Sequence, residues 1–244
     1  MRIDKGAIFY RFTRGPHKGL YILQLNPAFY EFRLFTASGL KLKDNLNAKQ
    51  WVEKMGLIAA TNAGMYQEDY QKSVGLLIAN GHINNSRLGR EKAVLAINPT
   101  NRSLPPIQII DRACEPQSIE DLKQNYRSLL QSIRMVTCRQ ENTWQRSNEK
   151  WPIAALGMTE DKQILMVFNQ TPQTPHDFIN LILSLKEPQI HNMMYLEGGP
   201  PAQLFFKGQN IMIDLAGSQK SQKSDQALGL RISIPNIIGV RQKT

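Results

Sequence analysis

Three stretches of the chain carry residues that packing alone explains poorly. The first is Thr61–Gly75 (TNAGMYQEDYQKSVG), where a short apolar run breaks at Asn62-Ala63-Gly64. A strand that stops there exposes backbone amides and an Asn amide. Gly64 permits a left-handed turn or the close approach of a ligand. A simple turn would have the same letters. The second stretch, Leu130–Met135 (LQSIRM), places Arg134 among apolar neighbours. A buried guanidinium needs an anion, and its planar fork suits a carboxylate or a phosphate. That anion could equally be an interior acid. The third, Met194–Gln203 (MYLEGGPPAQ), ends an apolar strand on Glu197 and follows it with Gly198 and Gly199. Desolvation at a strand end raises a carboxyl pKa, and a nearby guanidinium would lower it again. General acid–base chemistry and binding of a hard cation both remain open for such a group.

Other chemistries are poorly represented. His17, His82, His176 and His191 share no i, i+4 spacing and have no neighbouring acid pattern. No nucleophile elbow, phosphate-binding Walker loop or dinucleotide fingerprint occurs. Cys114 and Cys138 stand outside any metal-ligand spacing. They would pair in an oxidising compartment or remain as two free thiols, and the spacing does not choose.

The elements that must position these residues are mostly short strands. Gly19–Leu25 and Phe29–Phe35 are aromatic and branched runs either side of the Asn26-Pro27 turn pair. Leu57–Thr61, Val74–Ile78, His82–Ile83, Ala93–Ile97, Ile153–Leu156, Ile164–Phe168 and Met193–Leu196 read likewise. Asn80-Gly81 is a strong hairpin turn, because both residues accept positive φ. Helices are expected over Asn47–Met55, Ser118–Leu130 and His176–Leu185. In the second, Ile119, Leu122, Tyr126, Leu129 and Leu130 follow the 3.6-residue period behind a Ser cap. The polar stretch Gly217–Gln226 reads as an exposed loop. Frequent hairpins without a βαβ rhythm predict an α+β fold. It would be a single domain over residues 1–244, with a largely antiparallel or mixed sheet and a few packing helices.

The 244 residues have 30 Lys plus Arg against 20 Asp plus Glu, a formal net charge of +10. Such a surface concentrates anionic partners: nucleic acid, phosphorylated sugar or envelope polymer. The cations are scattered rather than blocked, so nucleic acid is not expected. Trp144 and Trp151, close to Arg139, Arg146 and Lys150, are the residues that could stack on bases. No apolar run is long enough to span a membrane. Met1–Arg14 is too charged for a signal peptide. The chain therefore works where it is made, or a leader has been removed, and the second is weakly preferred, with a secreted or periplasmic location.

Taken in order, these blocks resemble the phosphodiester glycosidase domain family. The likeness is strongest over residues 35–206. It is carried by Asn62–Tyr66 (NAGMY) with Asp69 and Val74-Gly75-Leu76, by Gln131–Met135 (QSIRM), by Trp144 with Lys150-Trp151 and Ala154–Gly157, and by Met194–Pro200 (MYLEGGP). Glu197 stands where many members have Asp, and Ser73, Pro152, Pro201 and Gln203 also depart from the usual pattern. The resemblance implies a hydrolase that cleaves a sugar from a sugar-1-phosphodiester. It implies Arg134 as phosphate anchor, Glu197 as acid–base or nucleophilic group, and Asp69 as the second carboxylate. Substrate would be held by Asn62, Gly64, Met65, Gln131, Ser132, Trp151, Gly198 and Gly199. No cofactor is expected, although Glu197 and Asp69 leave room for a divalent cation. The partner would be a phosphorylated glycan or sugar phosphodiester. The competing expectation is a non-catalytic binder of anionic glycans or envelope polymers.

Overall fold

The computed structural model describes residues 1–115, 117–217 and 231–243. In chain order the elements begin with β1 (Arg2–Asp4), β2 (Ala7–Arg11), β3 (Leu20–Leu25), β4 (Tyr30–Thr36), α1 (Ala48–Met55) and β5 (Ala59–Asn62). There follow β6 (Leu77–Ala79), β7 (His82–Asn85), β8 (Ala93–Pro99), β9 (Ile107–Asp111), α2 (Ile119–Asn125), β10 (Tyr126–Ser132) and β11 (Arg134–Val136). The last third contains β12 (Trp151–Met158), β13 (Ile164–Gln173), α3 (Pro175–Leu183), β14 (Asn192–Gly198), β15 (Gln203–Lys207), β16 (Met212–Ala216) and β17 (Asn236–Gln242).

The strands form three sheets, ordered β1-β2-β3-β13-β12-β14-β11, β7-β6-β10-β8-β9 and β16-β15-β5-β17-β4. Every pairing between named strands is antiparallel. One apolar cluster joins them, with Phe9 and Leu23 from the first sheet, Leu77 and Leu95 from the second, and Leu34 and Leu204 from the third. Each sheet turns its other face to one helix. Phe178 and Ile182 of α3 pack on Ile22 and Val167, Leu122 of α2 on Val94 and Leu129, and Trp51 and Val52 of α1 on Ala60 and Phe205. Alternation along β4 shows the cause: Tyr30, Phe32 and Leu34 are buried, while Glu31, Arg33 and Phe35 are only half-buried.

The expected hairpin at Asn80-Gly81 is present, and β12 and β13 form another across Glu160-Asp161. The α+β expectation gives way to a largely β structure. Among the described residues, strands make up 44% and three short helices 10%. The main correction is the helix expected over Ser118–Leu130, which ends at Asn125, where the chain turns into β10. Ser118 caps that helix, as its type suggests, by accepting the Asp121 N–H at 3.0 Å. From Tyr126 onward, six residues of β10 find partners along β8, and a paired central strand outweighs local helical periodicity. Of the polar stretch Gly217–Gln226, all but Gly217 lies outside the described residues.

Candidate active site

β14 runs inside the seven-stranded sheet, between β12 and β11, and ends in the Glu197-Gly198 pair. Ala155 pairs with Tyr195 and Ala154 with Glu197, so Leu196 is an extra residue, a bulge. Bulges re-aim side chains. Here Glu197 comes opposite Ala154, a member of the central cluster, and shares its face. The carboxyl is 8% exposed. It accepts one hydrogen bond, from the Gly198 N–H to Oε1 at 2.9 Å. Burial raises its pKa to about 7, and the Gly198 amide only partly opposes this. A carboxyl poised near neutrality can exchange a proton with substrate or water in either direction.

Two phenols register the charge of Glu197. Tyr66 is raised to about 12 and Tyr195 is also raised, in both cases first by burial and then by Glu197. Tyr195 accepts the Trp151 Nε1–H at 3.1 Å, and its ring lies 5.3 Å from that of Trp144. Gly198 makes room for this group: a Cβ there would stand 2.0 Å from the Tyr195 hydroxyl and 2.4 Å from Trp151 Nε1. Gly199 adopts φ 68° and donates its N–H to Pro152 O at 2.9 Å. Trp144 and Trp151 are thus turned onto Tyr195.

The other two stretches reach the same strand end. Asn62 spans the turn after β14, with Nδ2 donating to Pro201 O at 2.9 Å and Oδ1 accepting the Gln203 N–H at 2.7 Å. Gly64 has φ 76°, and a Cβ there would come within 3.1 Å of Leu130 Cδ1. Ser132 donates from Oγ to Tyr195 O at 2.5 Å, and Tyr195 donates its N–H to Ile133 O at 2.9 Å. Met65, Gln131 and Ser132 line one narrow crevice with Ser73, Gly75 and Glu91. Gln131 is fully engaged there. Its Nε2 donates to Gly89 O and Glu91 O at 3.0 and 2.8 Å, and its Oε1 accepts the Gly89 N–H at 2.7 Å. Its amide therefore holds the segment that presents Glu91.

Arg134 meets an interior acid. Its Nη1 donates to both oxygens of Asp111, at 2.7 and 2.8 Å, and Asp111 is 1% exposed. The Ala113 and Cys138 N–H groups donate to the same carboxylate at 3.0 and 3.3 Å. The guanidinium Nε is buried and has no hydrogen-bond partner among the described residues. Arg134 pairs with Met194, again on the central face, roughly 10 Å along β14 from Glu197. Asp69 lies elsewhere, on an exposed turn. Its Oδ1 accepts the Gln71 and Lys72 N–H groups, both at 2.9 Å, which lower its pKa.

Cys114 and Cys138 form a disulfide beside Asp111. The grouping of Asp111 with the two sulfurs therefore offers no thiolate to a metal. Sequence reasoning missed Asp111, Glu91, Tyr66 and Tyr195. Asp111 carried a usable signal, since it ends an apolar strand just as Glu197 does. Glu91, between Arg90 and Lys92, reads as a solvated charge.

Comparison with known proteins decides the family. The sequence profile described as phosphodiester glycosidase matches residues 55–241. The chain belongs to the phosphodiester glycosidase family. Among solved structures, it is similar to the zebrafish N-acetylglucosamine-1-phosphodiester alpha-N-acetylglucosaminidase catalytic domain, auto-inhibited by its pro-peptide. The TM-score is 0.63 and the identity 11%, over 97% of this chain and 82% of that one. A hypothetical protein from Synechocystis gives 0.60 and 11%, over 97% and 61%. A Burkholderia pseudomallei protein inferred to be exported gives 0.57 and 10%, over 91% and 73%. At these identities the likeness is one of fold. No curated protein matches the sequence significantly. The matched region contains all three stretches that reach the end of β14.

Proposed function

We propose that this chain hydrolyses a sugar-1-phosphodiester in a glycan, releasing the free sugar and a phosphomonoester. The observation that carries the reading is Glu197, a buried carboxyl with a pKa near 7 at the end of β14. Cleavage at the anomeric carbon breaks the C–O bond to phosphate and adds the hydroxyl of water to carbon. The phosphate leaves with the bonding pair. A phosphomonoester is already a good leaving group, so the larger gain comes from removing a proton from water. Glu197 is assigned that role, with Arg134 turning its Nε, unpaired among the described residues, to the phosphate while Asp111 holds Nη1. Tyr66, Trp151 and Tyr195 would wall the sugar side. Asp69 could act as second carboxylate only by leaving its turn, whereas Glu91 already lines the crevice.

Glu197→Gln and Arg134→Ala are each expected to cut turnover of an activated sugar-1-phosphodiester by at least ~100-fold. Normal turnover in either variant removes that residue from the mechanism. A non-catalytic glycan binder is the second reading, favoured by the internal engagement of the Asn62 and Gln131 amides. It predicts saturable binding without product in the same incubation. The disulfide and the exported relative support a location outside the cytoplasm. We read the chain as one domain, since a single cluster joins its three sheets.

A further inference from the structure

Two clefts larger than the crevice lie away from Glu197. One, of about 640 Å³, is bounded by the aromatic β2–β3 face and β16. The other, of about 650 Å³, opens between β4, the β6–β7 turn, the end of β8 and the start of β10. The second has the chemistry of a binding site. Among the described residues β4 pairs only with β17, and no strand lies on its other edge. Arg33, Arg127 and His82 supply cationic or donor groups. Asn80 and Asn98, both left-handed at φ 49° and 60°, bring two side-chain amides to the rim. Leu34, Leu40 and Pro99 give apolar surface.

The charges on this cleft are available. Arg127 is exposed and has no ion pair among the described residues. Arg33 pairs with Glu31 at 2.7 Å, but the two side chains are 43% and 35% exposed. Such a solvated pair is worth little, so an incoming phosphate or carboxylate can replace Glu31 at small cost. Along β10, Arg127 and Ser132 are five residues apart, which places the cleft roughly 17 Å from the crevice. The volume falls in the range that holds a small ligand, and apolar patches beside amides and guanidinium groups suit sugar rings that carry negative charge.

We infer that this cleft is a second binding site, for an anionic saccharide unit, remote from Glu197. The choice of a glycan rests on the proposed function, whereas the anionic preference rests on the cleft itself. It would let the protein grip a charged polymer at one point while a phosphodiester reaches Glu197 at another.

The test uses the whole chain, glucose 6-phosphate as probe, and glucose and inorganic phosphate as controls. Backbone amide shifts at Asn80, His82 and Asn98 should move with glucose 6-phosphate and stay still with glucose. The double variant Arg33→Ala/Arg127→Ala should bind the probe at least tenfold more weakly by calorimetry. Its turnover of a small activated sugar-1-phosphodiester should match that of the parent. Unchanged affinity in the double variant overturns the inference, as do shifts confined to residues around Glu197. Inorganic phosphate binding as tightly as glucose 6-phosphate also overturns it, since the saccharide then contributes nothing. Absent turnover in the parent chain would sink the proposed hydrolysis while leaving the cleft to be judged by its own binding data.

Discussion

Glu197 and Asp111 are both acids at the ends of apolar strands and both almost wholly buried. Their surroundings differ. Asp111 receives two bonds from a guanidinium and two from backbone amides. Glu197 receives one, from the amide next along the chain. Burial of a charge costs free energy in either place, and what differs is the compensation. Asp111 is fitted to hold β9, β11 and the disulfide together. Glu197 is left with its charge unmatched, and that is why it titrates near neutral pH. The family reading concerns an enzyme, and the contrast says which acid has freedom to act.

The sharpest way to break the contrast is to remove the compensated acid. Asp111→Ala would leave the partly buried Arg134 guanidinium without its anion, and loss of one partner from a buried pair costs about 3–5 kcal/mol. Chemical denaturation should register that loss. A cost under about 1 kcal/mol would mean that Arg134 is not held by this acid and that the two sites are less different than their geometry.

The uncompensated acid should respond with the opposite sign. The folded pKa of Glu197, about 7, lies above the ordinary 4.5. Between those values the unfolded chain gives up its proton while the folded one keeps it. The native state is therefore penalised increasingly as pH rises, with no penalty below about 4.5 and the full penalty above about 7. Glu197→Gln removes the titrating group. The variant should be more stable than the parent at pH 8, on the order of 3 kcal/mol, and equal to it at pH 4. Melting at the two pH values measures this. A gain of the same size at both would show that burial, rather than charge, is what Gln relieves.

The same contrast explains what could be read from the sequence. Strand ends, hairpin turns and the α1 cap at Asn47 follow from local chemistry, and Asn47 does accept the Gln50 N–H. The end of α2 does not, because Tyr126–Leu130 satisfies helical and strand periods alike and only its partner, β8, chooses. Two of the three chemical stretches are legible as strand ends bearing Gly, Asn or an acid, and the third as an Arg among apolar neighbours. What each side chain binds is not. Whether Arg134 meets phosphate or Asp111 depends on an acid 23 positions earlier. Whether Gly198 serves a ligand or an aromatic pair depends on Trp151, 44 positions from Tyr195. Such long-range choices are set by sheet order, which no local pattern encodes.

The smallest expected effect asks whether the two acids occupy one cooperative unit or two. Ser132, two residues before Arg134, is buried and donates to Tyr195 O, two residues before Glu197. Ser132→Ala removes one buried hydrogen bond, worth about 1 kcal/mol, and should lower the melting temperature by roughly 2–4 °C. Combining it with Asp111→Ala distinguishes the alternatives. If the strand end and the acid–guanidinium pair are separate, the two losses should add to within about 0.5 kcal/mol. If Arg134 needs Ser132 to keep its register on β14, the double variant will lose less than the sum, because the second change breaks what the first has already loosened. The paired register Arg134–Met194, anchored from both sides, favours additivity. A coupling above about 1 kcal/mol would instead make Asp111 a positioning residue for the Glu197 end of the strand.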